Sequence, residues 1–399
     1  MKITRSGYYI HRFIAGILIP GLLTNATVLC QPGIEDTKET AKGPLRLIGV
    51  SEYKKPLYFK NTVAGGISGI DMAPDGLFYM ISDAISDSVP SRFYTVELNY
   101  NDKSFDLVRF TGVIFLKTPS HKLFPTEQEA ENGGEREIAN AESIRYNRPA
   151  NTLFWTSEGL NDLQGSPVQP FIRQMDLKGD FISEVKIPAE FRYKAEGKTG
   201  LRTNAAFESL CFVPGTEELL TATEAPLIQD GSRPDFFHSG SPVRIIRINR
   251  KTGKLIAQYA YIPDKTPVEP VPQSAGSFNG VSEILDIDSG RFLVLERSFS
   301  AGHETGKGNS IRLYEIDLSS AATIDGDASL MKMHFIPVAK KLVLDFSRTE
   351  LDNIDNIEGM CWGKQLPDGK KSMVFVSDNN FSKKQVFQIL VFEVDPDLL

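Results

Sequence analysis

The chain has 399 residues, 41% of them apolar and 24% charged, with a formal net charge of −7. That acidic balance disfavours nucleic acid and anionic membrane surfaces as partners, and the apolar fraction excludes a disordered chain. Glycine and proline (32 and 23) punctuate the sequence. No long stretch beyond the N-terminus shows the three-four spacing of an amphipathic helix, which excludes a helical bundle.

The first 30 residues read as a targeting segment. Lys2, Arg5 and Arg12 form a basic start, and FIAGILIPGLLTNATVLC follows as an apolar run. Pro20, Asn25 and the modest length argue against a membrane span. The expected organisation is a signal peptide over 1–30, a linker over 31–44 and one folded domain over 45–399. Cleavage suits the TNA triplet ending at Ala26; lipid attachment at Cys30 is the alternative, disfavoured by the bulk of Leu29. An exported protein, periplasmic or secreted, follows. Losing residues 1–30 removes three positive charges and moves the net charge from −7 to −10, which is compatible with bound cations.

Five segments then share one plan of strand, tight turn and strand, flanked by polar and acidic residues. They are GGISGIDMAPDGLFYMISDA from Gly65, ANAESIRYNRPANTLFWTSEG from Ala139, AAFESLCFVPGTEELLTATEA from Ala205, NGVSEILDIDSGRFLVLERS from Asn279, and DNIEGMCWGKQLPDGKKSMVFVSDN from Asp355. Taking Ser68, Glu142, Glu208, Glu283 and Glu358 as anchors, the spacings are 74, 66, 75 and 75 residues. Two further strands follow in most periods, for example PVRIIRIN and KLIAQYAYIP after hairpin signals such as RKTG. Four antiparallel strands per period make one propeller blade. The predicted fold is all-β, a β-propeller of five such blades, with six as the alternative. The last repeat lacks its fourth strand, and LRLIGVSEYK from Leu45 is the spare strand that closes the ring. Cys211 and Cys361 sit in apolar runs and read as small buried hydrophobes.

In a four-strand meander the loops 117–139, 188–204, 225–242, 263–279 and 299–309 emerge on one face, where binding sites gather. The same face receives Glu142, Glu208, Glu283 and Glu358 at the starts of first strands. Asp83, Glu158, Glu224, Glu296 and Asp378 reach it at the ends of second strands. Crowded carboxylates need cations, protons or arginines. Calcium suits them because it takes several oxygen ligands, and Asn140, Asn204, Asn279, Asn356 and Asn379 lie nearby. The competing reading is that Arg92, Arg244 and Arg312, at third-strand starts, pair with these acids and tie blade to blade.

Other signals are weaker. The five histidines fall singly, without zinc-ligand spacing, and no GxSxG elbow or P-loop occurs. His303, beside Glu296 and Arg297 in the repeat, is a candidate proton-transfer group, and Arg145, Arg202 and Arg297 are candidates to hold a phosphate.

Together the five segments resemble the phytase-like domain family, the "esterase-like activity of phytase" proteins, over about residues 45–395. The resemblance implies an exported propeller with hydrolase activity. The β-propeller phytases bind calcium around phosphate, but their catalytic motifs have no residue-by-residue match here. The resulting expectation is a calcium-dependent hydrolase, monomeric, acting on a small phosphate ester or related ester. Glu142, Glu208, Glu283 and Glu358 are nearest the metal, then Glu158, Glu224, Glu296 and Asp378; Arg145, Arg297 and His303 are the catalytic candidates. The rival expectations are a lactonase-type metal-dependent propeller and a non-enzymatic envelope binding module.

Overall fold

The computed structural model describes residues 28–29 and 43–398, apart from 85–87, 132–136, 162–166, 289, 305 and 327. The expected signal peptide and linker therefore lie almost wholly outside the described residues. Five antiparallel sheets form the ring. From the inside outward, blade one holds Ile67–Met72, Phe78–Ser82, Arg92–Tyr100 and Phe105–Phe115, with Val28–Leu29 added at its outer edge. Blade two holds Ala141–Asn147, Thr152–Ser157, Phe171–Met175 and Phe181–Val185. Blade three is Cys211–Val213, Glu218–Ala222, Val243–Asn249 and Leu255–Tyr261. Blade four is Ser277–Asp288, Arg291–Ser300, Asn309–Asp317 and Lys340–Asp345.

Blade five runs Asn356–Trp362, Lys371–Asp378 and Phe387–Val394, and its outermost strand is the N-terminal Leu45–Tyr53. Leu45 pairs with Val394 and Tyr53 with Phe387, so a strand from one end of the chain completes the blade at the other. The ring closure read from the sequence is what the structure has, and five is the blade count among the described residues. Turn chemistry is local: in both PDG turns the aspartate side chain, Asp75 or Asp368, accepts the amide two residues on, and Gly76 and Gly369 take φ of 84° and 90°.

Each junction between neighbouring blades has its own apolar core. Strand alternation feeds both sides of a blade: Met373 and Phe375 pack toward blade four, while Val374 and Val376 pack toward blade one. Burying each such side chain contributes about 1.5–3 kcal/mol. That is why inner strands read as unbroken apolar runs such as SMVFVS rather than as alternation.

The ladder fixes what points into the channel. In blade one Ile67 pairs with Ser82 and Gly69 with Ile81, so Ser68 is an extra, bulged residue. Blade five bulges at Glu358, between Ile357 and Gly359. Blade four bulges at Ser282, between Val281 and Glu283. Blade two shifts just after Ala141, at Glu142 and Ser143, and the Phe207–Thr223 bridge puts Glu208 in the same place in blade three. The structurally equivalent anchors are thus Ser68, Glu142, Glu208, Ser282 and Glu358. Their strand-two counterparts, each one residue past the partner, are Asp83, Glu158, Glu224, Arg297 and Asp378. Blade four is out of step with the anchors taken from sequence: Glu283 and Glu296 each sit one residue off, and an offset of one turns a strand side chain to the other face.

Candidate metal centre

A cavity of about 560 Å³ opens where these positions converge. Asp83, Glu142, Glu158, Glu208, Glu224, Glu358 and Asp378 line it together with Arg297. Carboxylate oxygens of Glu142, Glu158 and Glu208 lie within 4.8 Å of one another, and all three residues are buried. Two unit charges at that separation repel by about 3.5 kcal/mol in an effective medium of ε near 20. The pKa values follow. Burial first, then Asp83, Glu158, Glu358 and Asp378, pushes Glu142 well above the usual carboxylate range. Burial and Glu224 push Glu158 up to about 8. Glu208 and Asp378 are likewise raised well above normal, mainly by burial and then by neighbouring carboxylates.

Arg297 is the basic group set among these acids. Its guanidinium bridges Glu224 at 3.1 Å and Glu358 at 3.0 Å. Burial works against its charge, but Glu358 and Glu224 outweigh that and raise its pKa. Neutral donors complete the support. The Asn356 amide donates to Glu358 at 2.8 Å, the Asn380 amide N–H to Asp378 at 2.7 Å, and the Ala206 N–H to Glu158. The Asn140 side chain lies between Asp83 and Glu158. Gly280 has a local reason to be glycine, since a Cβ there would stand 2.6 Å from the Glu224 side chain.

The remaining candidates lie elsewhere. Glu283 is in the channel, fully buried, where it binds Arg145 at 2.8 Å and accepts from Ser143 and from the amides of Leu210 and Ile284. The two terminal nitrogens of Arg145 also donate to the carbonyls of Ile70, Ile144 and Ile284, so this pair bolts inner strands together, and Arg145 does not line the cavity. Glu296 is held between blades three and four by Tyr261, Lys340, Asn279 and the Asp264 amide. The third-strand arginines tie down loops and outer strands rather than the ring of acids. Arg244 binds Asp230 at 2.7 Å, Arg312 binds Asp345 and Asp264, and Arg92 binds Tyr94 and the Val63 carbonyl. Arg202 donates to the carbonyls of Pro226 and Gly231. His303 lines the cavity, with Nε2 held 2.7 Å from the Glu269 carbonyl.

An all-oxygen set of buried carboxylates and nearby amides, with like charges held close enough to raise one another's pKa, fits a hard cation such as calcium and does not fit a thiophilic metal. The fit rests on Glu142, Glu158 and Glu208, with Asp83, Glu358 and Asp378 around them.

Over residues 62–381 the sequence matches the family described as Phytase-like, esterase-like activity of phytase. The chain belongs to the Phytase-like family. None of the well-described protein sequences compared with it matches. Among solved structures it is similar to an α-L-arabinofuranosidase from Lactobacillus brevis, at 10% identity and a TM-score of 0.41, covering 82% of this chain and 90% of that one. It is similar also to an α-L-arabinanase from Penicillium chrysogenum, at 11% identity and a TM-score of 0.40, covering 84% and 79%. Likeness of that degree carries no argument about chemistry.

Two features of this phytase-like mouth escape the sequence reading: the ring position of Arg297, which that reading names only as an anion-holding and catalytic candidate, and an aromatic wall. Arg297 occupies a ring position that elsewhere holds an acid, legible only once the blade-four register is known. Phe278 and Phe299 line the cavity beside Arg233; both fall in the expected loops 263–279 and 299–309, but Ser277–Asp288 and Arg291–Ser300 extend the blade-four hairpin into the ends of both. Among the described residues no helix is long and apolar enough to cross a membrane.

Proposed function

We propose that this phytase-like propeller is an exported, monomeric hydrolase of phosphate esters or related esters, dependent on calcium held at the channel mouth. The observation that carries the reading is the buried Glu142, Glu158 and Glu208 cluster, whose oxygens are too close to stay ionised together without a counter-charge. These three would hold the cation, with Glu358 and Asp378 completing its surroundings. Bound there, calcium supplies a positive charge that polarises a substrate oxygen and eases ionisation of water. Arg297 orients Glu224 and Glu358 and presents fixed positive charge where negative charge develops in the ester. His303, at the cavity wall with Nε2 bonded to the Glu269 carbonyl, is the candidate proton-transfer group. The basic and apolar character of residues 1–30 supports export, and the acidic mature chain suits a cation-rich exterior.

A second reading has its own support. Arg145 is committed to Glu283 and Arg202 to backbone carbonyls, which leaves an anionic phosphate only the cavity-lining Arg233, Arg297 and Lys384 against nine lining carboxylates. A neutral lactone needs no such cation, which favours the lactonase-type alternative. Assays of an aryl phosphate, an aryl acetate and gluconolactone, with calcium and with chelator, separate the two. Calcium-dependent turnover that vanishes in the Glu208→Gln, Glu358→Gln double variant supports the site. Turnover indifferent to chelation and to both substitutions rejects it.

A further inference from the structure

The first hairpin of blade four is longer than its counterparts, and it rises past the ring of acids. Gly280 pairs with Arg297, and two residues further Phe278 pairs with Phe299. Side chains alternate along a strand, so Phe299 shares the face of Arg297 and looks over the same cavity. The two rings are 6.1 Å apart between centroids. Phe278 is braced by the guanidiniums of Arg297 and Arg233, 5.1 and 5.7 Å from its centroid, and Arg233 is anchored on the Asn204 carbonyl. Phe299 is left 39% exposed. One wall of a highly charged mouth is therefore flat, apolar and rigidly supported, the kind of surface that gains from stacking against another ring.

Charge narrows the occupant further. Nine lining carboxylates against Arg233, Arg297 and Lys384 leave six net negative charges when ionised, and even two divalent cations would leave two. A polyanion meets net repulsion there. Resting on the hydrolase reading above, we infer that the substrate is an ester with at most one anionic group and an aryl or similarly flat apolar group stacked on Phe299. A densely phosphorylated polyol is excluded by the same arithmetic.

The test compares 4-nitrophenyl acetate and 4-nitrophenyl phosphate with inositol hexakisphosphate on the calcium-loaded full chain, and measures phenylphosphonate binding by calorimetry. The expected result is preference for the aryl esters. Phe299→Ala should raise KM and the phenylphosphonate Kd about tenfold, with kcat within about twofold and calcium affinity unchanged, and Phe299→Tyr should restore both. Efficient turnover of inositol hexakisphosphate over the aryl esters, or KM and Kd indifferent to Phe299→Ala, overturns the inference while leaving a hydrolase in place. Phenylphosphonate binding that depends on Phe299 without turnover of any ester upholds the aryl wall and removes the hydrolase reading.

Discussion

Raising the pH of the cation-free protein forces charge onto carboxylates that the fold has crowded together. Glu158 is the group whose cost is simplest to work out: burial and Glu224 move it from 4.5 to about 8. A folded pKa above the unfolded value means the fold favours the protonated acid. Its stabilising contribution is therefore complete below about pH 4.5 and is lost as the pH rises through about 8. At about 1.36 kcal/mol per unit, the loss approaches roughly 5 kcal/mol. Roughly 3–4 kcal/mol of that falls between pH 5 and pH 8, where Glu158 is half ionised at the upper end; with about 2.1 cal/mol/K of unfolding entropy per residue over the 355 residues of 45–399, this is a fall in Tm of roughly 5 °C in chelator. Glu142, Glu208 and Asp378 shift in the same direction and deepen it. Scanning calorimetry at the two pH values measures the effect directly. Calcium should abolish the fall, and Glu158→Gln in chelator should melt above the parent at pH 8 and level with it at pH 5. A Tm that stays flat with pH in chelator, or that falls equally in Glu158→Gln, refutes the reasoning.

Arg145→Met should cost about 3–5 kcal/mol in urea unfolding, because it strands the buried Glu283 carboxylate. Adding Glu283→Gln should recover most of that loss, and calcium affinity should stay the same throughout. Gly280→Ala should push Glu224 away from Arg297, since the new methyl would stand 2.6 Å from the Glu224 side chain; calorimetry should show calcium affinity lowered about tenfold by a change of roughly 1.4 kcal/mol.

The propeller was legible because each blade repeats a strand, turn, strand plan at a nearly constant spacing, and because Leu45–Tyr53 had no repeat of its own to join. The face and most of the acids were legible for the same reason, since Glu142, Glu208 and Glu358 occupy one position of that plan. Blade four was misread by a single residue. Its VSEI offers both a serine and a glutamate, and only hydrogen-bond register shows that Ser282 fills the bulge while Glu283 turns down the channel to Arg145. The same offset gave the ring position of Arg297 to Glu296, although Arg297 itself was legible as a candidate anion holder. The aromatic wall was illegible for a different reason: nothing local distinguishes a hairpin that runs past the ring from one that ends at it. Arg244 and Arg312 show the limit of proximity in sequence, because their partners Asp230 and Asp264 come from loops.

Calorimetric titration of calcium into the chelator-stripped protein tests the central claim most directly. The account predicts saturable binding at micromolar affinity or tighter, lost in the Glu142→Gln, Glu208→Gln double variant. Absence of binding up to millimolar calcium, with the fold intact, would contradict it and leave the acids to protons and Arg297.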